Sequence, residues 1–326
     1  MKKHLMRRSA VLALAAVMLT GSASALFGSK KEATEPVAGA PTVQDLEIST
    51  YRDIPYQTQF LLASSEGDVT YAVAEEPKKG TVTISGSEFT YTPEEGVTGS
   101  DSFTYTATDS QGRVSQPATV QVRIEKSKSG VKYADMGGSP AAAAAQYLAE
   151  SGIFTGAKIG ENYYFEPDAT VSRSEFLALA METAGREVTN VTITGFCDDE
   201  SIPAWAKAYA AAGVADGIVQ GKATAEGAAF QGEEPITFNE AATVLNRMLN
   251  LGDVDLDVWY ADREAVPSWA AQAVGNMEAF NVLSAGSFGS KTMEQAVTRA
   301  DAAQMLSAAS TLLAGEEPEG LFGWLQ

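Results

Sequence analysis

The sequence predicts a chain of two unlike parts, an all-β sandwich followed by an all-α array of repeated helix–loop–helix units. Three observations predict it. Between residues 41 and 125 apolar and polar residues alternate with period two, whereas from 131 to 313 the apolar period is helical. Turn-forming clusters separate the alternating runs at short spacing. In the second part three stretches open alike: Val171-Ser172-Arg173-Ser174-Glu175, Ile236-Thr237-Phe238-Asn239-Glu240 and Val297-Thr298-Arg299-Ala300-Asp301. Their hydroxyl residues lie 65 and 61 positions apart, and a marked pattern at a near-constant period is an internal repeat.

The first 25 residues read as a signal peptide. Lys2, Lys3, Arg7 and Arg8 form a basic start, residues 10–19 an apolar core, and Ala23-Ser24-Ala25 a small-residue cleavage site. No Cys stands at the cleavage point, so lipidation there is not expected. The apolar run is too short for a good membrane span. The mature chain is therefore expected to be exported without membrane insertion. Residues 26–40 carry no apolar period and read as a flexible tether.

Within 41–125 the clearest strands are Thr81–Ser85, Phe89–Thr92, Phe103–Thr106 and Val120–Ile124. Lys78-Lys79-Gly80, Ser85-Gly86, Glu95-Gly96 and Asp109-Ser110-Gln111-Gly112 supply the turns. Asp101, Asp109 and Glu94-Glu95 are of the type that ligates calcium, but turn formation explains them more simply. Residues 126–130 are a polar linker and a domain boundary.

The helical units occupy residues 131–190, 191–254 and 255–313, and a tail follows at 314–326. The units begin Tyr133-Ala134-Asp135, Phe196-Cys197-Asp198 and Tyr260-Ala261-Asp262. Seven residues after the last two Asp come Trp205 and Trp269, each two residues after a Pro that suits a helix first turn. Gly152, Gly217 and Asn281 then stand where a left-handed helix stop is needed. Each second helix opens on a capping box, Ser or Thr followed three residues on by Glu175, Glu240 or Asp301.

Arg173 and Arg299 fall on the first helical position, where a cation faces the positive end of the helix dipole at a cost of roughly 0.3–1 kcal/mol. An anion in front of the helix, held by the guanidinium and free backbone N–H groups, would offset that cost. A solvated surface position is the plainer reading.

Composition narrows the function. The 326 residues include 42 acids against 23 bases, a net charge of −19, which becomes −23 once the four leader bases are removed. Nucleic acid binding needs a basic face, and the mature part has none. An anionic ligand must be held by a local pocket. The only His, His4, leaves with the leader, and Cys197 is the only Cys. An intrachain disulfide is excluded, as are His-dependent catalysis and His-ligated zinc. No enzyme activity, cofactor or metal is expected.

The run from Gly80 to Ile124 resembles the bacterial immunoglobulin-like and cadherin-like modules of surface proteins, which implies a spacer or adhesion role. The helical units resemble the S-layer homology (SLH) repeat. Its pattern is an aromatic-x-Asp start, a Pro-x-x-Trp-Ala helix, a Gly-Ile-x-x-Gly turn, a Phe-x-Pro loop and a Thr-Arg-Ala-Glu helix start. The resemblance implies a pseudo-threefold bundle that attaches noncovalently to a secondary cell-wall polysaccharide, often one carrying pyruvate ketals. It also implies that the Arg, Asp, Trp and Gly residues line grooves between repeats.

The candidate polysaccharide-binding residues are therefore Arg173, Glu175, Arg299, Asp301, Asp135, Asp198, Trp205, Asp262 and Trp269. The arginines would pair with a ketal carboxylate and the aspartates would accept sugar hydroxyls. The Trp residues read either as a stacking platform or as helix-packing core. Phe238-Asn239 stands where the family has Arg-Ala, and unit one has no Trp, so at most two grooves are expected to be competent. The expected protein is secreted, resides at the cell wall or S-layer and displays its Ig-like domain. The alternative is a surface assembly or adhesion protein whose repeats are mainly structural, with protein partners for the sandwich or for the aromatic tail around Leu321-Phe322-Gly323-Trp324-Leu325.

Overall fold

A computed structural model describes residues 38–314 apart from Glu66, Ala261, Asp262 and Ala285. The leader, most of the tether, the aromatic tail and the candidate Asp262 thus lie outside the described residues. No helix among the described residues is long and apolar enough to cross a membrane.

The sandwich runs β1 (Thr42–Val43), β2 (Leu46–Tyr51), β3 (Tyr56–Gln59), β4 (Leu62–Ser64), β5 (Val69–Glu75), β6 (Gly80–Ser85), β7 (Glu88–Pro93), β8 (Gly99–Asp109) and β9 (Ala118–Glu125). One sheet has the order β2-β9-β8-β5 and the other β3-β7-β6, and β1 pairs with β4. β2 lies parallel to β9, and the remaining pairs are antiparallel. Alternation sorts the side chains. Phe89, Tyr91, Phe103, Tyr105, Val120, Val122 and Ile124 point inward and are buried. Phe60 stacks on Tyr71, Phe89 and Tyr105 with ring centroids 4.7, 4.6 and 4.4 Å away.

Asp101 and Asp109 brace neighbouring turns. Asp101 accepts hydrogen bonds from Lys78 N, Lys79 N and the Tyr91 hydroxyl. Asp109 accepts from Gln111 N, Arg113 N and the Arg113 guanidinium. Among the described residues no cluster of three or more acids, Cys or His could hold a metal.

The linker is held, not loose. Glu150 accepts hydrogen bonds from the Ser127 and Ser129 hydroxyls and from the Lys128 and Ser129 amides. Gln146 donates to Ser127 and to Glu150. Burial alone would raise the Glu150 pKa, but these donors outweigh it and hold the carboxyl at about 2. Ile54 of the sandwich packs against the helical core.

The second part runs α1 (Ala142–Glu150), β10 (Ala157–Ile159), β11 (Asn162–Tyr164), α2 (Arg173–Thr183), α3 (Lys207–Ala215), β12 (Lys222–Thr224), β13 (Gly227–Ala229), α4 (Phe238–Leu249), α5 (Leu256–Trp259), α6 (Ala271–Ala279) and α7 (Arg299–Leu313). It is not all-α, because units one and two each carry a two-stranded hairpin between their helices, β10-β11 and β12-β13. Three-residue strands are too short to show a period, which is why alternation did not reveal them.

The unit signals have local physical causes. Gly152, Gly217 and Asn281 take φ of 72°, 72° and 56° at the ends of α1, α3 and α6. The two amides after each stop return to one carbonyl: Leu148 O in unit one, Gly213 O in unit two and Met277 O in unit three. Asn replaces Gly in unit three because it tolerates the left-handed region. All three capping boxes are closed, including the one in which Asp301 stands for Glu.

The units join in a ring. The residue before each cap supplies one backbone hydrogen bond and receives another. Val171 N donates to Val297 O at 2.9 Å, Val297 N to Ile236 O at 2.8 Å, and Ile236 N to Val171 O at 3.0 Å. The helices follow the same cyclic rule. The first helix of each unit packs on the second helix of the unit before it: α3 on α2, α6 on α4, and α1 on α7.

Candidate functional site

The ring sets where each helix-start side chain can go. The amides at these helix starts, expected to be free for an anion, are already used. Arg173 N donates to Glu234 O and Arg299 N to Ala169 O, at 2.9 and 2.8 Å. At the next position Ser174 N donates to Gly232 O and Ala300 N to Pro167 O. The third amide goes to the capping hydroxyl. Neighbouring loops thus satisfy the donors a helix start leaves over, and what remains for a ligand is the guanidinium.

Each Arg reaches into another unit's loop. The Arg299 guanidinium donates to Phe165 O, pairs with Glu166 and lies 5.5 Å from the Phe154 ring centroid. Arg173 donates through Nε to Phe230 O at 2.9 Å, pairs with Glu240 at 3.1 Å and lies 5.7 Å from the Phe230 ring centroid. Phe238, in the third equivalent place, packs against the helical core and donates only its backbone N–H across, to Gln295 O.

Asp135 and Asp198 do not face outward as free acceptors. Asp135 takes the Phe165 and Glu166 amides on its two oxygens at 2.9 and 2.7 Å. Asp198 takes the Phe230 and Gln231 amides, both at 2.7 Å. The second residue of each loop pair has positive φ, 56° at Glu166 and 54° at Gln231. Outside glycine that conformation costs of order 1–3 kcal/mol and persists only where surroundings fix it. The aspartates fix it, and so set the Phe carbonyls that receive the arginines.

The two Trp residues resolve in favour of exposure. Trp205 is 51% and Trp269 57% accessible. Trp205, Arg299 and Glu175 line one cavity of about 140 Å³, together with Phe154, Phe165 and Leu179. Its contributors come from all three units. An apolar cavity of ~150 Å³ takes up a benzene ring, so this one has room for one six-membered ring. Arg173, Trp269 and Asp301 do not line it, and Asp301 is engaged in its capping box.

Sequence reasoning missed Phe154, Glu166, Lys222 and Glu240 as neighbours of the arginines. Lys222 Nζ sits 2.8 Å from Glu240 Oε1, so Glu240 carries two cations. Burial raises the pKa of Glu240, but Lys222, Arg173 and the Thr237 amide prevail and leave it below the usual range. The only available signal was the loop motif Phe165-Glu166-Pro167 and its partial echo at Phe230.

The described residues thus form a β-sandwich joined to a ring of helix–loop–helix units, with Trp205 and Arg299 beside one cavity. Comparison with known proteins gives the families. Residues 35–123 match the bacterial Ig domain, and residues 132–177 match the S-layer homology domain. The chain therefore carries an N-terminal Ig domain followed by an SLH domain. SLH domains generally bind cell-wall polysaccharide, and the combination is that of a cell-surface protein.

No curated protein matches the chain. Solved structures similar to it include an endo-fucoidan hydrolase from glycoside hydrolase family 107, at 18% identity and TM-score 0.22, covering 29% of this chain and 15% of that one. CopC from Methylosinus trichosporium OB3b is similar at 11% identity and TM-score 0.18, covering 26% of this chain and 87% of that one. The fibronectin(III)-like modules of Clostridium thermocellum CbhA are similar at 15% identity and TM-score 0.17, covering 26% and 92%.

Proposed function

We propose that the helical ring attaches this protein noncovalently to the cell wall by binding an acidic wall polysaccharide, with pyruvylated sugar as the ligand class, and that the Ig domain is displayed outward. No catalytic step is part of this function. The observation that carries it is the cavity where Trp205 of one unit and Arg299 of another converge over Phe154 and Phe165. A sugar's apolar face would lie on Trp205, and its carboxylate would take the Arg299 guanidinium in a bidentate pair. Glu166, which now holds Arg299, is 55% exposed. Exposed pairs are worth only ~0–1 kcal/mol, so a better-placed carboxylate displaces it. Glu175 keeps its capping role at the cavity wall.

Co-sedimentation with purified cell walls tests this. Wild type is expected to pellet with the walls and Arg299→Ala to stay in the supernatant, with its circular dichroism unchanged. Undiminished pelleting of Arg299→Ala would sink the assignment.

The second reading is a surface assembly or adhesion protein with a mainly structural ring. Self-pairing of both arginines favours it. It requires self-association by light scattering in the absence of wall material.

A further inference from the structure

Only residues 126–130 join the sandwich to the ring, and so short a polar join leaves two domains free to move against each other unless further contacts bind them. Here the contacts come from both sides. β9 ends at Glu125, whose carbonyl accepts from Arg52 N at 2.8 Å, so the chain is still part of the sheet when it leaves the sandwich. Glu150, the last residue of α1, takes the Lys128 and Ser129 amides on one carboxylate oxygen at 2.8 and 2.9 Å, and the Ser127 and Ser129 hydroxyls on the other. Gln146, one turn earlier and 2% exposed, donates to Ser127 Oγ at 2.9 Å and to Glu150 at 2.7 Å. At Val131 the chain is already buried. From the sandwich side, β2 lies against α1 and Ile54, just beyond it, packs on the helical core. Tyr51 sits where strand, join and helix meet, and burial together with the Glu125 and Glu150 carboxylates pushes its hydroxyl pKa up.

We propose that Glu150 locks the Ig domain to the helical ring as one rigid body, so that the sandwich is presented in a single orientation. Its carboxylate gathers five donors, from Ser127, Lys128, Ser129 twice and Gln146, and four of them belong to the join. Without that acceptor the join loses what holds it to α1, and the contacts of β2 and Ile54 alone are too few to fix the angle between the two parts. The strand register says which end of the sandwich is presented. β2 and β9 finish side by side at Tyr51 and Glu125, next to the ring. β8 starts at Gly99, opposite Ile124, and runs the other way for 11 residues to Asp109, a length of roughly 35 Å. β5 starts at Val69, opposite Asp109. The turn at 109–113 therefore stands at the end held away from the ring, and the lock fixes where that end points. This inference does not depend on what the ring binds.

The test is a spin-label distance measurement on the full chain, labelled at two cysteines. One is the native Cys197, exposed in the ring, and the other is introduced by Ser110→Cys at an exposed position on the far end of the sandwich. With Glu150 intact, one narrow distance distribution is expected. Adding Glu150→Ala should replace it with a broad one, while the circular dichroism stays the same, because Ala at the end of α1 keeps the helix. A broad distribution with Glu150 intact overturns the proposal and needs no folded Glu150 variant. A distribution that stays narrow in folded Glu150→Ala overturns the assignment of Glu150 as the lock.

Discussion

Arg173 and Arg299 begin from the same sequence signal and end in different chemistry. Both follow a capping hydroxyl, both cross to a Phe carbonyl in another unit, and both lie near a Phe ring. What differs is the acid that meets them. At Arg299 it comes from a surface loop and a cavity lies alongside. At Arg173 it comes from a helix start and is shared with Lys222. A motif therefore fixes where a side chain starts, and the neighbouring unit decides whether it is available.

The widest separation between the two sides should come from their aspartate clamps. Asp198→Ala strips the Phe230 and Gln231 amides of their acceptor, and Asp135→Ala does so for Phe165 and Glu166. An unpaired donor shielded from water costs about 1–3 kcal/mol, and these amides are part-buried or, at Glu166, exposed, so urea unfolding should register a loss of ~1–3 kcal/mol in either variant. Only Asp135→Ala should also weaken wall binding, because only its loop faces the open cavity. Equal loss of binding in both would erase the distinction.

Next in size, Arg299→Ala should reduce wall affinity tenfold or more, about 1.4 kcal/mol or above, while Arg173→Ala changes it less than twofold. Arg173→Ala should instead lower stability by ~1–3 kcal/mol, since Phe230 O and Glu240 lose a donor. Trp205→Ala should cost binding of the order of 1 kcal/mol through lost stacking, and Trp269→Ala almost nothing, readable in the same sedimentation assay. Smallest is Glu166→Ala, which removes an exposed competitor and should tighten binding by less than ~1 kcal/mol. Looser binding would mean that Glu166 contacts the ligand.

Acid gives an independent check on the join between the two parts. The Glu150 carboxyl titrates at about 2 in the folded chain, below its unfolded value near 4.3. Its contribution is complete above the unfolded value and fades as pH falls from there through about 2. Proteolysis at residues 126–130 should accelerate over that window in wild type, whereas Glu150→Gln should be cut faster already at neutral pH.

Legibility followed chain distance. The capping boxes, the helix stops and the strands β6 to β9 were readable because each cause lies within a few residues of its effect. Asp301 in place of Glu looked like a departure, yet the box closes, because Asp also reaches the Thr298 amide. The pairings that build the site lie far apart: Arg173 meets Phe230 across 57 residues and Arg299 meets Phe165 across 134. Nothing local in either Arg says which loop the ring will bring. Sequence alone does not show what Asp135 and Asp198 hold for the same reason, since the amides they accept from sit 30 and 32 residues downstream. Residues 126–130 read as a polar linker, and their composition does not reveal that Glu150 will collect them.

The trio of amide–carbonyl links at Val171, Ile236 and Val297 has a consequence for how such an anchor can vary. An open stack of repeats can lose or gain a member at its end and keep the rest. Here every member closes the circuit for the other two, so there is no end at which to trim. Shortening the array by one would break the circuit and also remove part of the cavity's lining, since all three units contribute to it. Three is thus the smallest working number of units, and if the proposed wall binding holds, greater grip would have to come from whole additional circlets.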